Sequence, residues 1–290
     1  MKKKFKNISL VGASTVKSKA LVRKIKKILL AEKRNLVTKE IFDSRIGDKS
    51  SNKSIKNKII KQSDLIIAIG GDGTILQCAK QFSIKGIPLV GINLGSLGFL
   101  SDIAPSKISI ELPEILNNNF LVDQRFLLKA SIDSKPIGSP SLNEIVIHSG
   151  SIAKMIEYEL YIDDVFIYRQ RADGLIITTP TGSTAYSLSG GGPIIHPSLD
   201  IIGIVPMFPH SLNNTPIIVN AKKDIKIKIS NNKKINTAEI SFDSQENLAL
   251  SKGTTINISK YSKKITLLHP KGTDFFAGCR NKLGWGKSII

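Results

Sequence analysis

Up to about residue 120, short apolar runs alternate with longer amphipathic ones. The run "NISLVGA" (7–13) predicts a buried strand, and "KSKALVRKIKKILLAEK" (17–33) predicts a helix with Leu21, Ile25, Ile28 and Leu29 at helical spacing. Three more strand candidates follow, "LVTKEIF", "DLIIAIG" and "IPLVGIN", with "TILQCAKQF" as a helix between the last two. Strands alternating with helices imply a parallel sheet whose ligand side lies at the strand C-termini. Gly70–Gly73 and "NLGSLGFLSD" (93–102) both leave strands at that edge. The polar stretch "SRIGDKSSNKSIKNK" (44–58) reads as a mobile surface loop.

Beyond about residue 121 the period shortens. "RFLLKASID", "LNEIVIHSG", "GLIITT", "PIIVNAKKDIKIKIS" and "AEISFD" are β-branched runs punctuated by Gly, Pro, Asn and Asp. "EYELYIDDVFIYRQ" predicts a hairpin turning at Asp163-Asp164. The expectation is an α/β, Rossmann-like domain over 1–120, completed by 273–290, and an all-β, sandwich-like domain over 121–272.

Composition changes this picture little. A formal net charge of +19 invites a nucleic-acid reading, but lysines carry nearly all of the excess and are spread along the chain. The charge favours acidic small ligands such as phosphates. Cys78 and Cys279 form neither a disulfide framework nor a metal motif. Cys78 falls on the buried face of its helix. The apolar run near the N-terminus is too short for a signal-peptide core, and no later run is long enough to span a membrane. A cytoplasmic protein is expected.

Chemistry concentrates in three places. Gly70-Gly71-Asp72-Gly73 joins a strand to a helix, where glycines let the backbone approach a phosphate. The carboxylate there is unexpected, and its plainest role is to cap the next helix. "RADGLIITTPTGSTAYSLSGGGPIIHP" (171–197) supplies hydroxyls, backbone amides close to the surface at Gly182 and Gly190–Gly192, and the aromatic face of Tyr186. Asn143 and Glu144 adjoin a β-branched strand and suit hydrogen bonds to a base or a ribose diol. No P-loop motif is present, and "GINLGSLG" lacks the dinucleotide-binding glycine spacing. The four histidines, His148, His196, His210 and His269, show no metal-ligand spacing.

Together, GGDG (70–73), "GINLGSLGFLSD" (91–102), Asn143-Glu144, "DGLIITTPTGSTAYSLSGGGPI" (173–194), "MFPHSL" (207–212) and "FDSQ" (242–245) resemble the NAD kinase family over nearly the whole chain. The GGDG loop is shared with phosphofructokinases and lipid kinases, whereas "TPTGSTAYSLS" behind "NE" is specific. The resemblance implies transfer of the γ-phosphoryl of ATP to the 2′-hydroxyl of the adenosine ribose of NAD⁺. It also implies a divalent cation (Mg²⁺ or Mn²⁺) and assembly as a homodimer or homotetramer. Asp72 matches the family's proton acceptor, which gives the carboxylate in the glycine loop a use: it faces a hydroxyl rather than a resting phosphate. Gly70, Gly71 and Gly73 would admit ribose and phosphates. Asn143 and Glu144 would hold the adenosine portion, with Thr184, Ala185, Tyr186, Ser187, Leu188 and Ser189 shaping its pocket. Asp173 would contact the other end of NAD, Gln245 the nucleotide, and Arg171 and Lys154 complete the candidates. An arginine at the position of Arg171 goes, in this family, with NAD⁺ over NADH and ATP over polyphosphate. No protein ligand for the cation is expected, since nucleotide phosphates would carry it.

Two positions depart from the family pattern. Thr215 stands where an arginine is usual, and Ser244 where glycine is usual, which leaves the backbone geometry there open. The competing readings are another GGDG kinase acting on a lipid or sugar phosphate, and a non-enzymatic nucleic-acid-binding protein. The first would make "NE" and "TGSTAY" coincidental. The second lacks a recognised motif or aromatics interleaved with basic residues.

Overall fold

The structure is a computed structural model that describes residues 5–13, 15–43, 50–95, 98–150, 154–211, 215–231 and 238–285. The chain divides into two compact units, residues 1–124 with 265–290 and residues 125–264.

The first unit is α/β. In chain order it holds β1 (Asn7–Gly12), α1 (Val16–Ala31), β2 (Asn35–Leu36), α2 (Ser50–Gln62), β3 (Leu65–Ile69), α3 (Asp72–Gln81), β4 (Leu89–Ile92) and α4 (Ile108–Leu116). The strand order β2-β1-β3-β4 is parallel throughout, and Leu89 of β4 pairs in parallel with Leu267 near the chain's end. β3 is buried along its whole length, as a central parallel strand covered on both faces must be. Leu21, Val22, Ile25 and Leu29 of α1 and Ile108, Leu112, Ile115 and Leu116 of α4 pack on Leu10, Ile67, Ile69 and Val90. Thr15 starts α1 through a capping box with Ser18.

The structure departs from two local expectations. "LVTKEIF" is not a full strand: Asn35 and Leu36 pair with β1, and Phe42 returns only as an isolated bridge to Val11. The polar stretch expected as a loop is helical from Ser50 to Gln62, anchored by the fully buried Ile59; residues 44–49 lie outside the described residues.

The second unit is all-β, built from two sheets. Its strands are β5 (Phe120–Ile132), which begins in the first unit, then β6 (Lys135–Ser141), β7 (Glu144–His148), β8 (Ile156–Ile162), β9 (Val165–Ala172) and β10 (Gly174–Thr178). A four-residue helix, α5 (Tyr186–Ser189), precedes β11 (Ile201–Met207), β12 (Ile217–Asn220), β13 (Ile225–Ile229), β14 (Ala238–Phe242), β15 (Glu246–Leu250) and β16 (Thr255–Pro270). The final helix, α6 (Phe275–Leu283), belongs to the first unit. β12-β11-β10-β7-β14-β15 form an antiparallel sheet. β13 pairs with β16 on one side and β8 on the other, and β8 pairs with β9. The hairpin β8–β9 turns at Asp163-Asp164, both with positive φ (49° and 65°), the geometry of a two-residue type I′ connection.

Alternation divides the β10-β7-β14 sheet into two faces. Ile145, Ile147, Leu175, Ile177, Ile240 and Phe242 point into the main core of this unit. Val146, Ile176, Val205 and Met207 form a small cluster on the opposite face. That second face carries the chemistry described next.

Candidate functional site

In the first unit the GGDG loop follows β3 and opens α3. Gly71 is the N-cap and makes no side-chain cap bond; Asp72 is the first helical residue. The Asp72 carboxylate does not cap its own helix. It reaches across to the loop after β4, where its Oδ2 accepts the Phe99 N–H at 2.8 Å and its Oδ1 the Leu100 N–H at 3.1 Å. Gly98 is required by this approach, since a Cβ there would lie 1.8 Å from Asp72 Oδ1. Asp72 thus clips together the two loops that leave the sheet at β3 and β4. Its side chain remains 40% exposed, and a carboxylate has about four acceptor positions, so lone pairs remain for a further donor. Gly71 and Gly73 have no atom within 4 Å of an added Cβ and no positive φ. Among the described residues no neighbour excludes a side chain there, which leaves room for a ligand to come against the backbone at a helix N-terminus.

Behind this loop, His269 is buried between two carboxylates. Its Nδ1 bonds to Asp102 Oδ2, and its Nε2 lies 3.2 Å from Asp123 Oδ2. Burial alone would push the imidazolium pKa down. The hydrogen bonds and charges of Asp102 and Asp123 outweigh that and push it up to about 9.

In the second unit, Asn143 and Glu144 are fixed from two sides. Asp243, on the turn between β14 and β15, accepts the Leu142, Asn143 and Glu144 N–H groups at 2.8–3.2 Å. From the other side, the Asn143 carbonyl accepts the Thr179 N–H at 2.9 Å, and Thr178 Oγ1 lies 3.3 Å from it. Gly182 is essential to this packing, because a Cβ there would sit 2.3 Å from the Asn143 carbonyl oxygen. Glu144 is 3% exposed, and its Oε2 is buried with no hydrogen-bond partner. Desolvation, reinforced by the charge of Asp243, pushes its pKa up to about 8. A buried carboxyl oxygen without a donor is costly unless a ligand supplies one.

A cavity of about 520 Å³ opens on the same face, lined by Val146, His148, Gly150, Asp173, Tyr186 and Met207 with Ser149, Ser241, Ser244 and Asn247. It brings Asp173 and Tyr186 together. Tyr186 is 42% exposed, so its ring is not a core ring. Ala185 and Leu188 flank it half-buried, as does Thr184 on the preceding 3-10 turn; Ser187 is buried with an unpartnered Oγ, and Ser189 is exposed. Arg171, Lys154 and Gln245 are exposed and do not line the cavity. The sequence reading missed Val146 and His148. Counting by two from Glu144 along β7 would have found both.

A family model described as the ATP-NAD kinase N-terminal domain matches residues 11–120, and one described as the ATP-NAD kinase C-terminal domain matches residues 142–269. The chain is 42% identical over 289 residues to an NAD kinase of Marinobacter nauticus, covering 98% of each chain. It is 40% identical to an NAD kinase of Pseudomonas fluorescens, covering 98% of this chain and 97% of the relative. Among solved structures, an NAD kinase from Archaeoglobus fulgidus in complex with ATP matches with a TM-score of 0.72 at 26% identity, over 96% of this chain and 97% of that one. Yeast NADH kinase complexed with NADH shares the fold with a TM-score of 0.83 at 24% identity, over 99% of this chain and 89% of that one.

Proposed function

The chain belongs to the NAD kinase family, and from that premise we propose how its residues share the reaction. ATP is the phosphoryl donor and the 2′-hydroxyl of the adenosine ribose of NAD⁺ the acceptor. The hydroxyl oxygen forms a bond to Pγ as its proton passes to the Asp72 carboxylate. The bond from Pγ to the β–γ bridging oxygen breaks, and ADP leaves with that electron pair. Asp72 later releases the proton to solvent. The observation that carries this reading is the state of Asp72: both oxygens are oriented by backbone amides, the side chain is open to solvent, and the glycines beside it are open to a ligand. Orientation of this kind is what phosphoryl transfer asks of a protein, because positioning and charge neutralisation supply most of the acceleration.

The dinucleotide is assigned to the second unit. Tyr186 offers its ring to the adenine, with Thr184, Ala185, Ser187, Leu188 and Ser189 around it. Asn143 and Glu144 bind ribose or base, and the unpartnered Glu144 Oε2 supports that assignment. Asp173 takes the nicotinamide end; Arg171, Lys154 and Gln245 are peripheral contacts. Gly70, Gly71 and Gly73 receive phosphate.

A divalent cation is part of the proposal as a companion of the nucleotide, neutralising its phosphates. Among the described residues no group of three or more His, Cys, Asp or Glu is placed to hold a metal ion; the nucleotide's own phosphates would hold the cation. Assembly into a homo-oligomer is supported by β9, a sheet-edge strand on which Val165, Phe166 and Ile167 are exposed. Cys78 and Cys279 are buried and form no disulfide, which suits a reducing cytoplasm. No helix among the described residues is long and apolar enough to cross a membrane.

Two experiments test the reading: a phosphorylation screen with labelled ATP that offers NAD⁺, diacylglycerol or fructose 6-phosphate as acceptor, and a coupled assay of NADP⁺ formation from NAD⁺ with ATP or polyphosphate as donor. Turnover with ATP and NAD⁺ is expected. Label from ATP appearing only in lipid or sugar phosphate would overturn it.

A further inference from the structure

Helix α6 brings a lysine to the acid of the glycine loop. The helix is defined at both ends: the Asp274 carboxylate accepts the Phe276 and Ala277 N–H groups, and Gly284 closes it in the left-handed conformation at φ 69°. Phe275 packs against Phe99 with ring centroids 6.4 Å apart, and Cys279 is fully buried. One turn further on, the Lys282 ammonium lies 3.9 Å above the centre of the Phe99 ring and 3.8 Å from Asp72 Oδ2. The same Oδ2 accepts the Phe99 N–H.

Only 18% of the Lys282 side chain is exposed. Its nitrogen is too far from Asp72 for a hydrogen bond, and it makes none with any other described residue. A lysine side chain this far buried beside a ring face and a carboxylate, with no hydrogen bond to a described residue, has donors that suit an anionic ligand. Phosphate oxygens would satisfy all three donors.

We propose that Lys282 is a catalytic residue that contacts the phosphoryl group as it passes to the hydroxyl served by Asp72, and afterwards contacts the 2′-phosphate of the product. The inference rests on the assignment of Asp72 as the base. It also explains how an acid is tolerated where an anionic phosphoryl group arrives: the cation beside it offsets the local charge. Burial draws the proton affinity of Lys282 down, while the charges of Asp72, Asp102 and Cys279 act in the opposite direction.

The plain alternative is that Lys282 only ties α6 to the loop. Calorimetry of NAD⁺ and NADP⁺ binding to wild-type protein, Lys282→Met and Lys282→Arg separates the two, because the ligands differ only in the 2′-phosphate. Lys282→Met is expected to weaken NADP⁺ about tenfold or more, as loss of a charge-assisted contact does, to leave NAD⁺ within about twofold and to lower kcat; Lys282→Arg recovers part of both losses. Equal changes for the two ligands, or none, overturn the proposal. Should Lys282→Met fail to fold, reductive methylation of Lys282 in the wild-type protein, followed by mass spectrometry, decides the matter. Slowing by NADP⁺ beyond that by NAD⁺ supports the contact, and equal rates refute it. Asp72→Asn assayed in parallel keeps the two ideas apart. Turnover surviving in that variant removes the base assignment, while the NADP⁺ selectivity still judges Lys282.

Discussion

Ser244 settles what its departure from the family glycine costs. It sits with Asp243 in a turn where both residues have positive φ (54° and 53°), a conformation an L side chain adopts at a penalty of about 1 kcal/mol. Ser244→Gly is therefore expected to raise stability by about 1 kcal/mol, measured by chemical denaturation. Glu144 makes a sharper case. Its pKa stands at about 8 against an ordinary 4.5, so the folded state holds a proton that the unfolded state releases. That contribution is complete below 4.5 and is lost as pH rises through 8. Glu144→Gln, which has nothing to ionise, is expected to gain on the wild type by roughly 1.4 kcal/mol per pH unit across that window, read from thermal melts at several pH values. Tyr186→Ala is expected to weaken NAD⁺ with the fold retained; unchanged affinity by calorimetry would end its role in the pocket.

At the scale of elements, His269 joins the end of β16 to the loop that holds Asp72. Its folded pKa of about 9 exceeds the ordinary 6.5, so the stabilisation is fully present below 6.5 and disappears as pH rises through about 9. Compared with His269→Gln, the wild type is expected to be more stable by roughly 3 kcal/mol at most near pH 6, and to lose that lead by pH 10. The sequence reading treated His269 only as a failed metal ligand, because Asp102 and Asp123 are 167 and 146 residues away from it and only the fold unites them. The same limit hid α2. Apart from Ile55, Ile59, Ile60 and Gln62 its residues are lysine, asparagine and serine, and the burial of Ile59 that anchors it is a tertiary fact. The hairpin at Asp163-Asp164 was legible because two small acids between β-branched runs specify a turn locally.

For the molecule as a whole, the change from helical to alternating periodicity was enough to read an α/β region and an all-β region. The glycine and hydroxyl motifs were enough to read a nucleotide enzyme through their resemblance to the NAD kinase family. What the chain order concealed was which atoms those motifs meet. The plain alternative for Asp72, a helix cap, is not what its carboxylate does: it holds the Phe99 and Leu100 amides, and Lys282, 210 positions later, lies beside it. The net charge of +19 suits a protein whose two substrates both carry phosphate groups. The central claim is that Asp72 removes the proton of the ribose hydroxyl. Its most direct test is kcat of Asp72→Asn alongside NAD⁺ affinity by calorimetry. The account predicts a fall in kcat of about 10²–10⁴-fold with NAD⁺ binding intact; a near-normal kcat in a folded, NAD⁺-binding variant would contradict it.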